Sequence, residues 1–305
     1  MTSITADLGP IIESGFFTSS PVHVGLIVGG IVAVVSAAVG TFTIIRGQSF
    51  AGHALSDIGT AGGSAALLAG VPTLYGFVAM NLAAAGTMEL IGIRRPRGRD
   101  LATGIVLGAS LGLAALFLYL DTTYSNTTGA TVNVLFGSIF TISGSTVPVI
   151  AVLGVAALTA MVVLYRPLLL SSVSYELAAA RGVPVRLVGI GYLAALAIAV
   201  SLSAVTIGAI LSTALLIGPA ATALRLTKRA GTAIAVAAII GVVATWLGIL
   251  LAYDTAAWSG QGQGWPVSFC IVAVVFAFYL AVSLSTRHRP SAITTPSAVI
   301  ADMTH

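Results

Sequence analysis

His53 and Asp57 stand four residues apart in FAGHALSDIG, residues 50 to 59, among small and apolar neighbours. In a helix that spacing places both on one face. An imidazole and a carboxylate together form half a coordination shell for Zn, Mn or Fe; soft Cu(I) prefers sulfur. Waters, other helices or a second chain must supply the remaining ligands. Glu89 is a candidate helper, although it stands five residues before Arg94. The same two residues also suit an i,i+4 ion pair that neutralises Asp57, or a proton relay. Spacing alone leaves all three readings open.

The surroundings of the pair narrow what can hold it. Of 305 residues, 57% are hydrophobic and 7% charged, and the mean hydropathy is +1.06. Soluble domains carry roughly 25% charged residues, so this chain cannot coat a water-facing surface. It reads as an all-α, polytopic integral membrane bundle. The net charge of +4 reflects topology and is no nucleic-acid footprint. The start of the chain has no basic residue ahead of its first apolar run, so it does not read as a cleaved signal. A lone Cys270 in an apolar run excludes an internal disulfide.

All thirteen Lys and Arg residues fall in five places: Arg46; Arg94, Arg95, Arg97 and Arg99; Arg166, Arg181 and Arg186; Arg225, Lys228 and Arg229; Arg287 and Arg289. The positive-inside rule assigns these to the cytoplasm, and a crossing needs about 20 apolar residues. The intervals then predict one span over 24–45, two over 47–93 turning at Gly70-Val71-Pro72, and one over 101–120. One more returns over 146–165, a hairpin fills 187–224, and two more fill 230–286. The total is about nine, with the N-terminus outside and the C-terminus cytoplasmic; eight follow if one hairpin is mis-set. Residues 1–21 form an outer segment, 22–286 the transmembrane domain and 287–305 a disordered tail. Residues 130–145 are surplus to the count and read as an interfacial or re-entrant helix.

Other landmarks concern architecture. Gly104, Gly108 and Gly112 recur every four residues, the small-residue spacing of close helix packing in lipid. Gly218-Pro219 predicts a kink or end of a span, and broken membrane helices tend to line cavities. Residues 172–186, SVSYELAAARGVPVR, predict a two-turn helix between spans. Ser174 caps it, Glu176 favours its positive end, and Gly182 and Pro184 stop it. That helix is a connector on lipid headgroups or a peg for a soluble partner. No GxxxxGK[ST] phosphate loop occurs, so ATP hydrolysis is not expected of this chain.

Four stretches, in order, resemble the permease subunits of ABC importers for manganese, zinc or iron. They are IIRGQSFAGHALSDIG (44–59), RGRDLATGIVLGASLGLAALFL (97–118), VNVLFGSIFTIS (132–143), and ELAAARG (176–182) with VTIGAILSTALLIGPAATA (205–223). The likeness covers about 22 to 285. In that family aspartate usually comes first, histidine follows four later, and Leu-Pro-Gly or similar comes next. Here the order is His53 then Asp57 with no proline, which keeps the ligand types and the face and leaves the metal open. The resemblance implies two copies around a central pathway in a prokaryotic cell membrane, with His53 and Asp57 as metal ligands. It implies an ATPase docked through Ser174, Tyr175, Glu176, Ala178 and Gly182, and a metal-binding lipoprotein at the outer face. Gly218 and Pro219 would lie along the pathway. No permanently bound cofactor is implied, since the metal is cargo. A permease for vitamin B12 or iron siderophores, or an ATP-independent secondary transporter, is the alternative.

Overall fold

The computed structural model describes residues 16, 19–92, 96–124, 129–137, 139–258 and 264–287. The remaining parts of the outer segment and tail lie outside the described residues. Within them the chain forms eleven α-helices and two 3-10 turns. Nine helices are long: α1 (Ser20–Ile45), α2 (Ser49–Leu68), α3 (Thr73–Gly92), α4 (Pro96–Tyr124), α6 (Val147–Val173), α8 (Val185–Ile207), α9 (Ser212–Leu226), α10 (Ala230–Trp258) and α11 (Val267–Arg287). Two are short, α5 (Ala130–Phe136) and α7 (Tyr175–Ala180). Among the described residues, six helices are long and apolar enough by themselves to cross a membrane. The α2–α3 turn falls at Gly70, which has φ +70, and Pro72 as expected. Arg46, Arg225 with Lys228 and Arg229, and Arg287 mark alternate helix ends, as the nine-span count requires.

The core is built on α8, which α1, α3 and α6 all pack against. Its residues from Tyr192 to Ile207 are largely buried. Polar side chains stitch the neighbours to it. The Ser36 and Ser203 hydroxyls meet at 2.9 Å, Asn81 Nδ2 donates to Ser201 Oγ at 2.9 Å, and Tyr192 Oη donates to Thr43 Oγ1 at 2.9 Å. In an apolar medium no water satisfies such groups, so these bonds fix which helix faces meet. Arg46 does not simply reach outward. Its guanidinium lies over the Tyr192 ring, 5.2 Å from the centroid, and donates to Ser171 Oγ at 2.9 Å.

Two sequence expectations are corrected. The helix does not end at Gly218-Pro219: α9 runs through Pro219 from Ser212 to Leu226. The break lies instead at Gly208–Leu211, where Gly208 has φ +89. α9 has 15 residues, about 22 Å, too short to cross a hydrocarbon core of about 30 Å. Its first turn therefore stays inside the bundle, where Gly208 and Ala209 are buried. α5 folds in to meet it. Ala209 N donates to Val134 O and Ile210 N to Leu135 O, each at 3.2 Å. Gly137, φ +71, abuts the break so closely that a Cβ on it would strike the Gly208 and Ile207 backbone, and a Cβ on Gly208 would strike the backbone of Leu135 and Phe136. Residues 130–145 are thus a short helix and two 3-10 turns whose helix docks on the α8–α9 break.

The second correction concerns α4. Gly104, Gly108 and Gly112 have nothing within 4 Å of a built Cβ and are exposed. Among the described residues they pack against no other helix. α4 uses its other face, Ser110, Ala114 and Asp121 being buried, while it lies against α2. The glycine stripe is left open.

Candidate metal site

His53 and Asp57 occupy one face of α2, with His53 Nε2 3.6 Å from Asp57 Oδ2. The helix forms despite its glycines because each one lets a neighbour in. Gly59 lies against Asn81 of α3, and Gly63 against Phe77. Both residues lie in the first half of α2, the half that follows Arg46. That half of α2 packs level with the middle of α8. A Cβ at Gly52 would lie 3.9 Å from Leu196 Cδ1, and Leu196 is the middle residue of α8. The start of α2 is itself recessed, since Thr43 and Arg46 pack on Tyr192, two turns inside α8.

The broken segment positions the site. His53 Nδ1 lies 3.3 Å from Thr213 Oγ1 in the first turn of α9. Ser56, between His53 and Asp57 and fully buried, reaches the Ser212 hydroxyl and the Ala209 carbonyl. Thr60 Oγ1 donates to Ser56 O at 3.1 Å. Sequence reasoning missed Ser56, Ser212 and Thr213. The only signal was Ser56 itself, one turn from His53 on the face that meets the break.

The pair opens away from the bundle. The His53 side chain is 52% exposed and that of Asp57 20%, with Phe50 and Ile210 exposed beside them. A half-bare imidazole beside a carboxylate cannot face acyl chains cheaply: ionisable groups in a membrane helix cost up to roughly 2.5–3.5 kcal/mol. Water or another protein surface must meet it. The donors present are Nε2 of His53, the Asp57 carboxylate and the Thr213 hydroxyl.

Glu89 does not complete the shell. Its carboxylate lies against α8 at Gly189, where a Cβ would be 3.1 Å from Oε1. Gly189 is about 10 Å along α8 from Leu196. Among the described residues, no group of three or more His, Cys, Asp and Glu gathers to hold a metal. A cavity of about 620 Å³ on the arginine-free side is lined by Phe136, Ile139, Thr206, Tyr253, Trp265 and Ser268, among others, with no carboxylate, imidazole or thiol.

The segment between α6 and α8 folds as its sequence predicts. Leu177 N donates to Ser174 Oγ at 3.2 Å, Glu176 lies in the first turn of α7, Ala178 is buried and Gly182 turns the chain at φ +76. Tyr175 opens the helix. Gly218 and Pro219 lie elsewhere, with Gly218 against Val275 of α11 and Pro219 buried.

Comparison with known proteins gives a consistent result. The sequence model described as the ABC 3 transport family matches residues 21–285. A protein of Halalkalibacterium halodurans named as the manganese transport system membrane protein MntC is 29% identical over 74% of this chain and 77% of its own. The manganese import system permease protein ScaB of Streptococcus pneumoniae is 30% identical over 82% of this chain and 84% of its own. The high-affinity zinc uptake system membrane protein ZnuB of Haemophilus influenzae is 26% identical over 87% and 97%. The solved structure of PsaBC from Streptococcus pneumoniae in complex with Fab superposes with a TM-score of 0.74 at 27% identity, covering 88% of this chain and 92% of that one.

Proposed function

The chain belongs to the ABC 3 transport family, and from that premise we propose that it is the permease of an ATP-driven importer of divalent transition metal in which His53 and Asp57 hold the ion midway across. One observation carries the reading: an ionisable pair on a helix packed against the middle of α8 has its imidazole half exposed and its carboxylate partly exposed on a single copy. A lone subunit would expose it to lipid. A second copy facing it would enclose a polar conduit and supply the missing ligands. The open glycine stripe of α4 suits close contact between copies. The relatives' names support manganese and zinc as cargo, and a nitrogen–carboxylate pair suits both, and Fe as well.

In this mechanism the arginine-rich side is cytoplasmic. A separate ATPase grips α7 between Ser174 and Gly182, and a metal-binding lipoprotein delivers the ion at the other face. ATP binding draws the two α7 helices together and rocks the bundles open outward. The ion pauses at His53 and Asp57 and leaves inward. A site of few protein ligands, backed by water, binds weakly enough to let go.

The test is uptake of radioactive Mn and Zn by cells or proteoliposomes carrying the whole importer. His53→Ala and Asp57→Ala, made singly, are expected to abolish uptake while the ATPase still co-purifies. Normal import by both variants would show that the pair only neutralises itself. Uptake without any ATPase would favour a secondary transporter instead.

A further inference from the structure

No ligand motif marks Thr213, yet among the described residues it is the side chain that meets His53 on the side away from Asp57. Nδ1 lies 3.3 Å from Thr213 Oγ1, and Nε2 lies 3.6 Å from Asp57 Oδ2. The two ring nitrogens face different elements, one on α9 and one on α2. The register between those elements is held one step away, where buried Ser56 meets Ser212 and the Ala209 carbonyl. Thr213 therefore cannot drift along α2 without breaking those contacts.

We propose that Thr213 is the positioning residue of the cation site: its hydroxyl holds the His53 ring so that Nε2 faces Asp57 in both the empty and the loaded state. This rests on the reading of His53 and Asp57 as a metal site. A hydroxyl is both donor and acceptor, and that duality is what the site requires. When the site is empty, Nε2 faces the Asp57 carboxylate at 3.6 Å and Nδ1 lies within hydrogen-bond distance of the Thr213 hydroxyl. A cation needs the lone pair of Nε2. With its Nε2 lone pair given to a cation, an imidazole would carry its hydrogen on Nδ1, beside the Thr213 hydroxyl. Water reaches the ring because half of it is bare. The Thr213 hydroxyl turns about its C–O bond and accepts from Nδ1–H. Neither nitrogen loses its partner, and the ring need not rotate. Without the hydroxyl, a half-exposed ring is free to turn and to present either nitrogen. Hydrogen bonds to the second nitrogen of a ligating histidine fix tautomer and orientation, and losing them costs roughly 10–100-fold in metal affinity.

The deciding experiment uses the full importer in proteoliposomes, with Mn²⁺ uptake measured against concentration. Thr213→Val keeps the shape and removes the hydroxyl; Thr213→Ser keeps the hydroxyl. The expected result is a KM for Mn²⁺ raised about tenfold or more by Thr213→Val, a maximal rate little changed, and rescue by Thr213→Ser. A second readout is independent of transport. The chain has four histidines, so the ¹⁵N signals of His53 are identified by their loss in His53→Ala. With Zn²⁺ added, the wild type and Thr213→Ser should show Nδ1 protonated and Nε2 metal-bound, and Thr213→Val a mixture. An unchanged KM in Thr213→Val, or Thr213→Ser as impaired as Thr213→Val, overturns the proposal. If Thr213→Val does not fold, Thr213→Ala against Thr213→Ser decides by the same criteria. Normal uptake by His53→Ala would instead overturn the metal site itself.

Discussion

Replacing Asp57 by Asn removes one negative charge and almost no volume. The carboxylate is four-fifths buried, and its neighbour His53 is half exposed. Two unit charges at about 4 Å interact by about 4 kcal/mol at an effective dielectric of 20. Solvent at the open His53 edge screens this, and halving it leaves roughly 2 kcal/mol per unit of cation charge, taken as a floor for a divalent ion. That is roughly 30-fold in affinity. Asn can still offer its amide oxygen, so the site should weaken without disappearing. The assay is Mn²⁺ uptake against concentration in proteoliposomes holding the assembled importer. KM should rise by at least roughly 30-fold, while the elution volume and melting temperature of the purified complex stay as in the wild type. Folding is not expected to suffer, because the substitution removes a buried charge whose nearest partner is an imidazole 3.6 Å away. A KM within about threefold of wild type, below 1 kcal/mol, would refute the claim that the Asp57 charge meets the cargo.

Three further predictions test the frame around the site. Gly108→Ile meets empty space in one copy, so the melting temperature of a detergent-isolated monomer should hold while the dimer fraction in native mass spectra falls; an unaffected dimer would place the interface elsewhere. Gly40→Leu drives a side chain into the Leu216 carbonyl, and overpacking of that kind costs about 1–3 kcal/mol or more, which should appear as a lower thermal midpoint; an unchanged midpoint would contradict the α1–α9 approach. Gly182→Pro cannot adopt the observed φ of +76 because proline is held near −65°. It also loses the Gly182 N–H bond to Ala179 O at 3.0 Å. ATPase co-purification and transport should therefore drop, Glu176→Ala should lower both, and full retention in both variants would remove α7 from the docking surface.

Much of the architecture was legible because its signals are local. Where Lys and Arg stand, and how many apolar residues separate them, decides how many times the chain crosses. The helix count roughly follows, six of the helices being long and apolar enough to cross by themselves, and the cap at Ser174 and stop at Gly182 follow from side-chain and backbone preferences within a few residues. His53 and Asp57 share a face because helical geometry puts residues four apart together. Other features depend on which helices become neighbours, and no short stretch encodes that. The proline at 219 looked like the break, yet the chain turns at Gly208, where α5 brings the Leu135 and Phe136 backbone too close for any side chain. The α4 glycines looked like a packing face, yet α2 takes the opposite face and leaves them bare. The depth of the pair, its half-open exposure and its anchor on Thr213 come from α8 and α9, roughly 140 to 160 positions further along the chain. Composition and spacing determined a metal-suited pair on a membrane helix. Tertiary packing decided that the pair opens at mid-bundle, because hydrogen bonds left unmet by lipid had to be satisfied by distant helices.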